Sequence, residues 1–288
     1  MRVGALVVSL TVLALGLAAT ATGGPTASTG IHGCAIDNLN LVKEGQLSLA
    51  TDNPAFPPWW GGAAKKPWQV SNPASGKGYE SAVAYAVAKE LGFAKGKVSW
   101  SAVPFNNSFR PGKKPFDFYM AQVSYSAPRA KNVSFSNSYY FVNQAVVANA
   151  DTPIARVNTV AGLRPYKLGA QVGTTSYDYI KNFIRPSQTP SVYDSNNDAI
   201  SALNAGQIDG IVVDLPTAFY VVAVQLDHGT IVGKLPQRGA REHFGMVFEK
   251  DNPLVRCVNK ALNRLWANGT MRTLQKQYLA KAGAPDLR

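Results

Sequence analysis

Three polar features of the sequence have chemistry suited to a small dipolar ion. Arg129 ends the segment SYSAPR, and its planar guanidinium group can hold a carboxylate through two parallel hydrogen bonds. Residues 173–176 (GTTS) precede a predicted helix, where free backbone N–H groups and the helix dipole favour an anion. Asp214 ends a predicted strand, where open α/β sheets place ligand contacts, so it could receive an ammonium group. Each feature alone fits a surface ion pair, a helix cap or a turn, but the combination of the three would suit a zwitterion.

The motifs of common enzyme classes are absent from the sequence. It contains no G-x-S-x-G elbow, no G-x-x-x-x-G-K-[ST] loop and no strand-linked G-x-G-x-x-G. The histidines (His32, His228 and His243) have no H-x-x-x-H spacing, and two cysteines cannot form a four-cysteine zinc site. We therefore expect no catalytic residue, no metal and no cofactor.

Length and composition indicate a globular chain of about two domains. The chain has 288 residues, of which 46% are hydrophobic and 16% charged, and this composition excludes a disordered protein. The formal net charge is +12, but the Lys and Arg residues are scattered and form no basic stripe with interleaved aromatic residues. We therefore expect no nucleic-acid partner.

The first residues have the features of an export signal. A basic start at Arg2 is followed by an apolar run at residues 5–17, and Ala19-Thr20-Ala21 has the small-x-small pattern of a signal-peptidase site. The run is too short to span a bilayer. We predict a signal peptide at residues 1–21, a leader segment at 22–36 and a secreted mature protein that is a monomer.

Cys34 has two interpretations. The sequence IHGC at residues 31–34 loosely resembles a lipid-attachment box, although about a dozen small and polar residues separate it from the apolar run. Alternatively, Cys34 pairs with Cys257 in a disulfide, which an oxidising exterior permits.

Predicted strands and helices alternate along the mature chain. The strands are placed at residues 46–51, 98–104, 116–123, 144–148, 167–171, 208–214 and 244–248, and the helices at 80–91, 177–184, 198–204, 252–266 and 270–280. Residues 105–114 are predicted to be a loop broken by Pro111 and Gly112, and residues 228–241 a turn-rich stretch. This alternation predicts an α/β chain with mostly parallel sheets in two blocks.

Ordered landmarks give the chain a family resemblance. They are ATD at 50–52, FPPW at 56–59, GY at 78–79, SYSAPR at 124–129, VSFSNSYY at 133–140, LGAQVGTT at 168–175, GQIDGIVVD at 206–214, FG at 244–245 and NKAL at 259–262. With these landmarks the chain, from about Gln46 to Leu279, resembles the family 3 extracellular solute-binding proteins, the amino-acid-capturing component of bacterial ABC importers.

The resemblance implies a two-lobed, periplasmic-binding-protein-like type II fold. Two mixed sheets with flanking helices would be joined by a two-crossover hinge, with the ligand in the cleft between the lobes. Lobe 1 would comprise residues 37–143 plus 240–288, and lobe 2 residues 144–239. The expected partners are a free amino acid and an ABC transporter permease. Membrane contact would occur only through the permease or a lipid anchor.

The resemblance also assigns roles at the two ends of the ligand. Arg129 and the backbone N–H of Ser124 would bind the α-carboxylate from lobe 1, and Thr175 would bind it from lobe 2. Asp214 and the carbonyl oxygen of Gln122 would bind the α-ammonium group.

The remaining pocket wall would read the ligand side chain. Phe56 and Phe105 would stack on the ligand side chain, and Asp52 and Gln171 would contact its polar atoms. Trp59 and Trp60 are expected to pack within the lobe instead. Because Asp52 is negatively charged, we expect a neutral polar or a cationic amino acid. The alternatives are an enzyme of the cyclohexadienyl dehydratase type, which shares the fold, and a ligand-sensing module that docks on a receptor.

Two departures from the family pattern affect the lobe 1 wall. Ser134 replaces the usual acid before Phe-Ser, and residues 106–114 replace the helix expected after Phe105. The carboxylate and ammonium sites are unaffected by these changes.

Overall fold

The computed structural model describes residues 30–279 and 283–288, which form two α/β lobes. The predicted signal peptide at residues 1–21 lies outside the described residues, as does most of the leader. Ile31 and Cys34, near the end of the predicted leader, are buried in the core of the first lobe. The described part of the leader therefore packs as part of that lobe.

Each lobe is built on a five-stranded sheet. The sheet of lobe 1 has the order β2-β1-β3-β12-β4, with β1 Leu47–Thr51, β2 Val98–Ala102, β3 Phe118–Tyr119, β4 Val133–Phe135 and β12 Val247–Glu249. The sheet of lobe 2 has the order β10-β6-β9-β7-β8, with β6 Gln144–Asn149, β7 Leu168–Gln171, β8 Ser191–Tyr193, β9 Gly210–Asp214 and β10 Gly229–Lys234. Two short antiparallel strands, β5 Tyr140–Phe141 and β11 His243–Phe244, form the crossovers between the lobes.

Both sheets are mixed, as the family resemblance implies, and in each of them four of the five strands run in one direction. In lobe 1, β12 runs antiparallel to β3 and β4, and in lobe 2, β6 runs antiparallel to β9 and β10. Each of these strands directly follows a crossover strand and therefore enters its sheet from the cleft side. The parallel strands β1, β7 and β9 run the other way and end at the cleft.

Helices cover both faces of the two sheets. They are α1 Tyr79–Glu90, α2 Phe105–Ser108, α3 Ala127–Ala130, α4 Thr175–Tyr179, α5 Asn196–Asn204, α6 Leu215–Tyr220, α7 Leu254–Ala267 and α8 Thr270–Leu279. A π-helical turn extends α4 through Ile180–Ile184, and another extends α6 through Val221–Gln225. Separate clusters of buried side chains lie on the two faces of each sheet, so each lobe has its own core.

Some predicted elements differ from the observed ones. Residues 105–114 begin with the short helix α2 instead of forming a loop throughout, and the stretch predicted to be turn-rich contains β10. The single strand predicted at residues 244–248 is divided into β11 and β12 at Gly245, whose position leaves no room for a side chain beside Phe135 and the Ser136 carbonyl.

The last residues of the chain lie on lobe 2, not on lobe 1 as predicted for residues 240–288. Leu287 is buried in the lobe 2 core and pairs with β10 through a hydrogen bond from its N–H to the Lys234 carbonyl oxygen (2.9 Å). Asp286 forms a salt bridge with Lys234 (2.8 Å), and the N–H of Arg288 donates to the carbonyl oxygen of Asn158. Sequence patterns did not indicate this because the segment is too short to form a recognisable element.

Within residues 30–279 and 283–288, no helix is long and apolar enough to cross a membrane.

A disulfide joins Cys34 to Cys257 and fastens the start of the described chain to α7. This confirms one of the two interpretations of Cys34, since a sulfur atom in a disulfide cannot also carry a lipid thioether. The two residues are separated by 223 positions in the sequence. Closing a loop of that length reduces the entropy of the unfolded chain and stabilises the fold by about 5 kcal/mol at most.

We expect reduction of this disulfide to lower the melting temperature by roughly 10 °C, because a domain of this size loses a few degrees per kcal/mol. The measurement is a thermal melt with and without a thiol reductant. The Cys34→Ser/Cys257→Ser double variant is the control, and it should melt at the lower temperature with or without reductant. Equal melting of the oxidised and reduced wild-type protein would contradict the prediction.

Candidate functional site

A cavity lies between the lobes at the ends of the parallel strands. Asp52 follows β1, Gln171 ends β7 and Asp214 ends β9, so strands of both sheets bring polar side chains to the same space. The cavity has a volume of about 1020 Å³, including the space at its open mouth. All nine predicted ligand-binding residues line it, namely Asp52, Phe56, Phe105, Gln122, Ser124, Arg129, Gln171, Thr175 and Asp214.

The guanidinium group of Arg129 is buried at the boundary of the two lobes. Nη1 donates a hydrogen bond to the carbonyl oxygen of Ser124 in lobe 1 (2.5 Å), and Nη2 donates to that of Gly173 in lobe 2 (2.7 Å). Burial lowers the pKa of Arg129 to about 10, while the negative charges of Asp178, Glu242 and Asp214 raise it. The group therefore remains positively charged at neutral pH.

Two aromatic rings hold the guanidinium plane in place. Its central carbon lies 4.6 Å from the ring centroid of Phe109 and 5.5 Å from that of Phe105. Phe105 lines the cavity as predicted and also contacts Arg129, which the sequence did not indicate. Such cation–π contacts leave the N–H edges of the guanidinium group available for hydrogen bonds.

The segment before α4 approaches lobe 1 closely. Thr174 caps the helix, because its hydroxyl accepts a hydrogen bond from the N–H of Tyr177 (3.2 Å). Gly173 has a φ of +73°, and a Cβ atom at this position would overlap with the side-chain oxygen of Asn106 in lobe 1. Only glycine allows this backbone conformation and this close approach without strain.

Asp214 lies beside a polar network that the sequence did not reveal. The amide nitrogen of Gln144 donates to Asp214 Oδ1 (2.7 Å), while the hydroxyl of Ser176 donates to the amide oxygen of Gln144 (2.6 Å). Burial raises the pKa of Asp214 well above its usual value, and the negative charge of Glu242 raises it further. Hydrogen bonding to Gln144 and the charge of Arg129 act in the opposite direction.

Glu242 is a second residue that sequence patterns missed. It lies immediately before β11, and its Oε1 accepts hydrogen bonds from the hydroxyls of Ser124 and Thr175, both at 2.6 Å. The amide nitrogen of Gln144 lies 3.2 Å from both carboxylate oxygens. Glu242 directly follows the stretch predicted to be turn-rich, residues 228–241, and a charged residue beside such a stretch is unremarkable.

Asp52 faces the cavity from the lobe 1 side. Its Oδ1 accepts a hydrogen bond from the N–H of Asn53 (2.9 Å). Burial raises the pKa of Asp52, and hydrogen bonds from the backbone of Asn53 and Phe105 partly offset this effect. On the lobe 2 side, the amide of Gln171 donates to the carbonyl oxygen of Asp194 (3.3 Å). A cation placed in this part of the cavity would be next to a half-buried carboxylate.

A buried carboxylate in α1 fixes the backbone of Gln122. Glu80 is fully buried and accepts hydrogen bonds from the N–H of Gln122 (2.7 Å), from its side-chain amide and from the hydroxyl of Tyr139. Gln122 has a φ of +52°, an unusual conformation for a residue other than glycine. Burial raises the pKa of Glu80 to about 7, although the three hydrogen bonds lower it. Sequence analysis placed Glu80 at the start of a helix and missed this role.

The lobes also touch on the other side of the cavity. The indole N–H of Trp59 donates to the hydroxyl of Thr217 in α6 (2.9 Å), and the rings of Phe56 and Tyr220 lie 6.1 Å apart. Trp59 and Trp60 are buried in lobe 1 as expected, but both also line the cavity. Trp59 thus contributes to packing within its lobe and to contact between the lobes.

The cavity wall carries more negative than positive charge. Among the described residues that line it, the ionisable side chains of Asp, Glu, Lys and Arg are those of Asp52, Asp214 and Arg129. One carboxylate can be matched to the guanidinium group, which leaves one carboxylate for a further cation. Across the described part of the chain, no cluster of three or more His, Cys, Asp or Glu side chains could hold a metal ion.

Known proteins share both the sequence pattern and the fold. The chain is 29% identical over 168 residues to an arginine-binding protein of an ABC transporter of Escherichia coli, covering 57% of this chain and 67% of the relative. It is 25% identical over 170 residues to the glutamate-binding protein GluB of Corynebacterium glutamicum, and the alignment covers 57% of this chain and 56% of GluB. A solved ancestral arginine-binding protein bound to arginine superposes with a TM-score of 0.66 at 24% identity, covering 82% of this chain and 99% of that structure.

A family model matches residues 62–281, which include lobe 2 and most of lobe 1. Seven of the nine predicted ligand-binding residues lie in this range, while Asp52 and Phe56 precede it. The chain belongs to the bacterial extracellular solute-binding proteins, family 3.

Proposed function

We propose that this protein is secreted, binds an α-amino acid with a cationic side chain in the cleft and delivers it to an ABC transporter permease. The observation that carries the proposal is the pair of half-buried carboxylates, Asp52 and Asp214, in a cavity whose described wall offers one guanidinium group. Burial raises the pKa of both carboxyl groups, and a cationic partner would favour their ionised forms.

The α-carboxylate of the ligand would bind at Arg129. Its guanidinium group has five N–H donors, and two nitrogens already donate to carbonyl oxygens, so N–H groups remain for a ligand. The backbone N–H of Ser124 and the hydroxyl of Thr175 would complete this subsite from the two lobes. Each hydrogen bond to a charged group contributes about 1.5–3 kcal/mol.

The α-ammonium group would bind at Asp214 and at the carbonyl oxygen of Gln122. The hydrogen bonds that Gln122 donates to Glu80 hold Gln122 in its positive-φ conformation, which sets the direction of that carbonyl group. Because Asp214 ends a lobe 2 strand and Gln122 belongs to lobe 1, an ammonium group between them would join the lobes. A ligand that contacts both lobes favours the closed conformation over the open one.

The side chain of the ligand would extend between Phe56 and Phe105 towards Asp52, with Gln171 on the opposite wall. A glutamate side chain would meet Asp52 as a like charge, and no lysine lines the described cavity wall to compensate for it. A glutamine side chain would meet no repulsion but would leave the charge of Asp52 unpaired. The similarity to an arginine-binding protein agrees with a cationic ligand, whereas the similarity to GluB does not.

The ligand class can be tested by calorimetry with the twenty amino acids. We expect arginine, lysine or histidine to bind at least tenfold more tightly than glutamine, and glutamate to show no binding. Asp52→Asn should weaken the cationic ligand at least tenfold and change glutamine affinity by less than threefold, since the charge pair contributes about 1.4 kcal/mol or more.

The control for this experiment is Asp151→Asn, which removes one exposed negative charge outside the cavity and should leave all affinities unchanged. Preferential binding of glutamate, or equal loss of cationic and neutral ligands in Asp52→Asn, would contradict the proposed ligand class.

A second prediction concerns the carboxylate subsite. Arg129→Ala should weaken binding at least a hundredfold, because the ligand carboxylate would be buried without a charged partner. Arg129→Lys should lie between wild type and Arg129→Ala, since lysine restores the charge but not the planar fork. Circular dichroism should confirm that both variants are folded. Retained wild-type affinity in Arg129→Ala would exclude the assigned role.

A third prediction concerns closure of the cleft. Gly173→Ala should weaken binding at least tenfold and reduce the compaction that ligand causes in small-angle X-ray scattering, because the new Cβ would overlap with Asn106. Adding Asn106→Ala should restore part of the affinity. Gly112→Ala is the matched control, because Gly112 also has a positive φ (+97°) but open space around it. Equal effects of Gly173→Ala and Gly112→Ala would indicate backbone strain without a closure defect.

A further inference from the structure

Glu242 occupies the hydroxyl of Thr175, which the ligand carboxylate would need, and the hydroxyl of Ser124 beside it. Its Oε1 accepts hydrogen bonds from the hydroxyls of Ser124 and Thr175, both with an oxygen–oxygen distance of 2.6 Å. A hydroxyl group has one proton to donate. While these two bonds exist, neither hydroxyl can donate to a second carboxylate.

The same carboxylate joins the two lobes. Ser124 lies in lobe 1 next to the crossover strand β11, and Thr175 begins α4 in lobe 2. The two hydroxyl oxygens lie 3.4 Å apart, so one carboxylate oxygen reaches both. The α-carboxylate assigned to Arg129, Ser124 and Thr175 in the proposed function would connect the lobes in the same way.

Neighbouring contacts hold Glu242 at this position. The ring of His243 stacks on Tyr125 with the ring planes 9° apart, and the guanidinium group of Arg241 lies 4.5 Å from the ring centroid of Phe141. The backbone N–H of Glu242 donates to the side-chain oxygen of Gln237 (3.2 Å). Because the side chains of Arg241 and His243 pack against the crossover, the backbone of Glu242 is held in place and its carboxylate reaches the two hydroxyls.

The charges around Glu242 indicate competition and not cooperation with a ligand carboxylate. The negative charge of Glu242 attracts the positive charge of Arg129. Glu242 therefore uses part of the positive potential that would otherwise bind an anion. Like charges brought together in a partly buried cleft repel each other more strongly than in water. Gln144 donates to both Glu242 and Asp214, which connects the carboxylate end of the site to the ammonium end.

We infer that Glu242 is a carboxylate of the protein itself that competes with the α-carboxylate of the ligand for the hydroxyl of Thr175 and for the space beside Ser124. By joining the lobes it stabilises a closed form of the protein before ligand binds, and a ligand must displace it. Glu242 therefore sets the affinity of the site to a lower value than Arg129, Thr175 and Asp214 alone would give. This inference rests on the proposed function for its ligand, but its effect on lobe closure can be measured without one.

The experiment compares wild type, Glu242→Ala and Glu242→Gln, with Glu44→Ala as a control that removes an exposed carboxylate from lobe 1. We expect Glu242→Ala to increase the radius of gyration of the ligand-free protein in small-angle X-ray scattering. It should also bind the preferred cationic amino acid about tenfold more tightly in calorimetry, which corresponds to about 1.4 kcal/mol. Glu242→Gln should show intermediate values, and Glu44→Ala should match wild type.

The outcomes separate this inference from the proposed function. Unchanged scattering of ligand-free Glu242→Ala, or an affinity equal to or weaker than wild type, would overturn the inference, because a purely structural residue would not strengthen binding when removed. If no amino acid binds to wild type or to any variant, the proposed function fails. In that case, the scattering difference alone supports or overturns the bridging role of Glu242.

Discussion

The guanidinium group of Arg129 is the point on which the arrangement of the cleft depends. It is one of the few charged groups in the chain that is buried, and it donates to backbone carbonyl oxygens from both lobes. Removing a guanidinium ion from water is costly unless its donors are satisfied, so the lobes must approach closely enough to supply those oxygens. That requirement explains why Gly173 lies against Asn106 and why two aromatic rings cover the guanidinium plane.

The chain topology brings the polar groups to one place. Both crossovers lead into strands that start at the cleft, and the parallel strands end there, so the strand ends of both sheets face one cavity. A site divided between two lobes connects ligand binding to lobe movement, because contacts from both sides form only when the cleft is closed. The C-terminal residues beside β10 add a further connection, since they follow the last helix of lobe 1 and pack on lobe 2.

Electrostatics distinguishes the two ends of the cavity. Asp214, Glu242 and Gln144 form a connected polar cluster near Arg129, while Asp52 lies at the end of a lobe 1 strand with backbone donors as partners. Loss of contact with water is the largest cause of the raised pKa of both Asp52 and Asp214, and at Asp214 the negative charge of Glu242 adds to it while Arg129 opposes it. The carboxylate of Glu242 accepts hydrogen bonds from the hydroxyls of Ser124 and Thr175 and from the amide of Gln144, and these contacts support its assignment as an internal competitor.

The sequence by itself determined the family resemblance, the α/β class and most helices and strands, because these follow from local periodicity and from motifs of fixed spacing. The resemblance in turn led to nine residues that are among those lining the cavity. The sequence left the choice between lipid and disulfide at Cys34 open, and it missed Glu80, Gln144 and Glu242. Those three act through partners between 32 and 118 positions away, so only the folded chain places them in contact. The strand directions at the crossovers and the position of Leu287 on lobe 2 were likewise decided by tertiary packing, for which no local pattern exists.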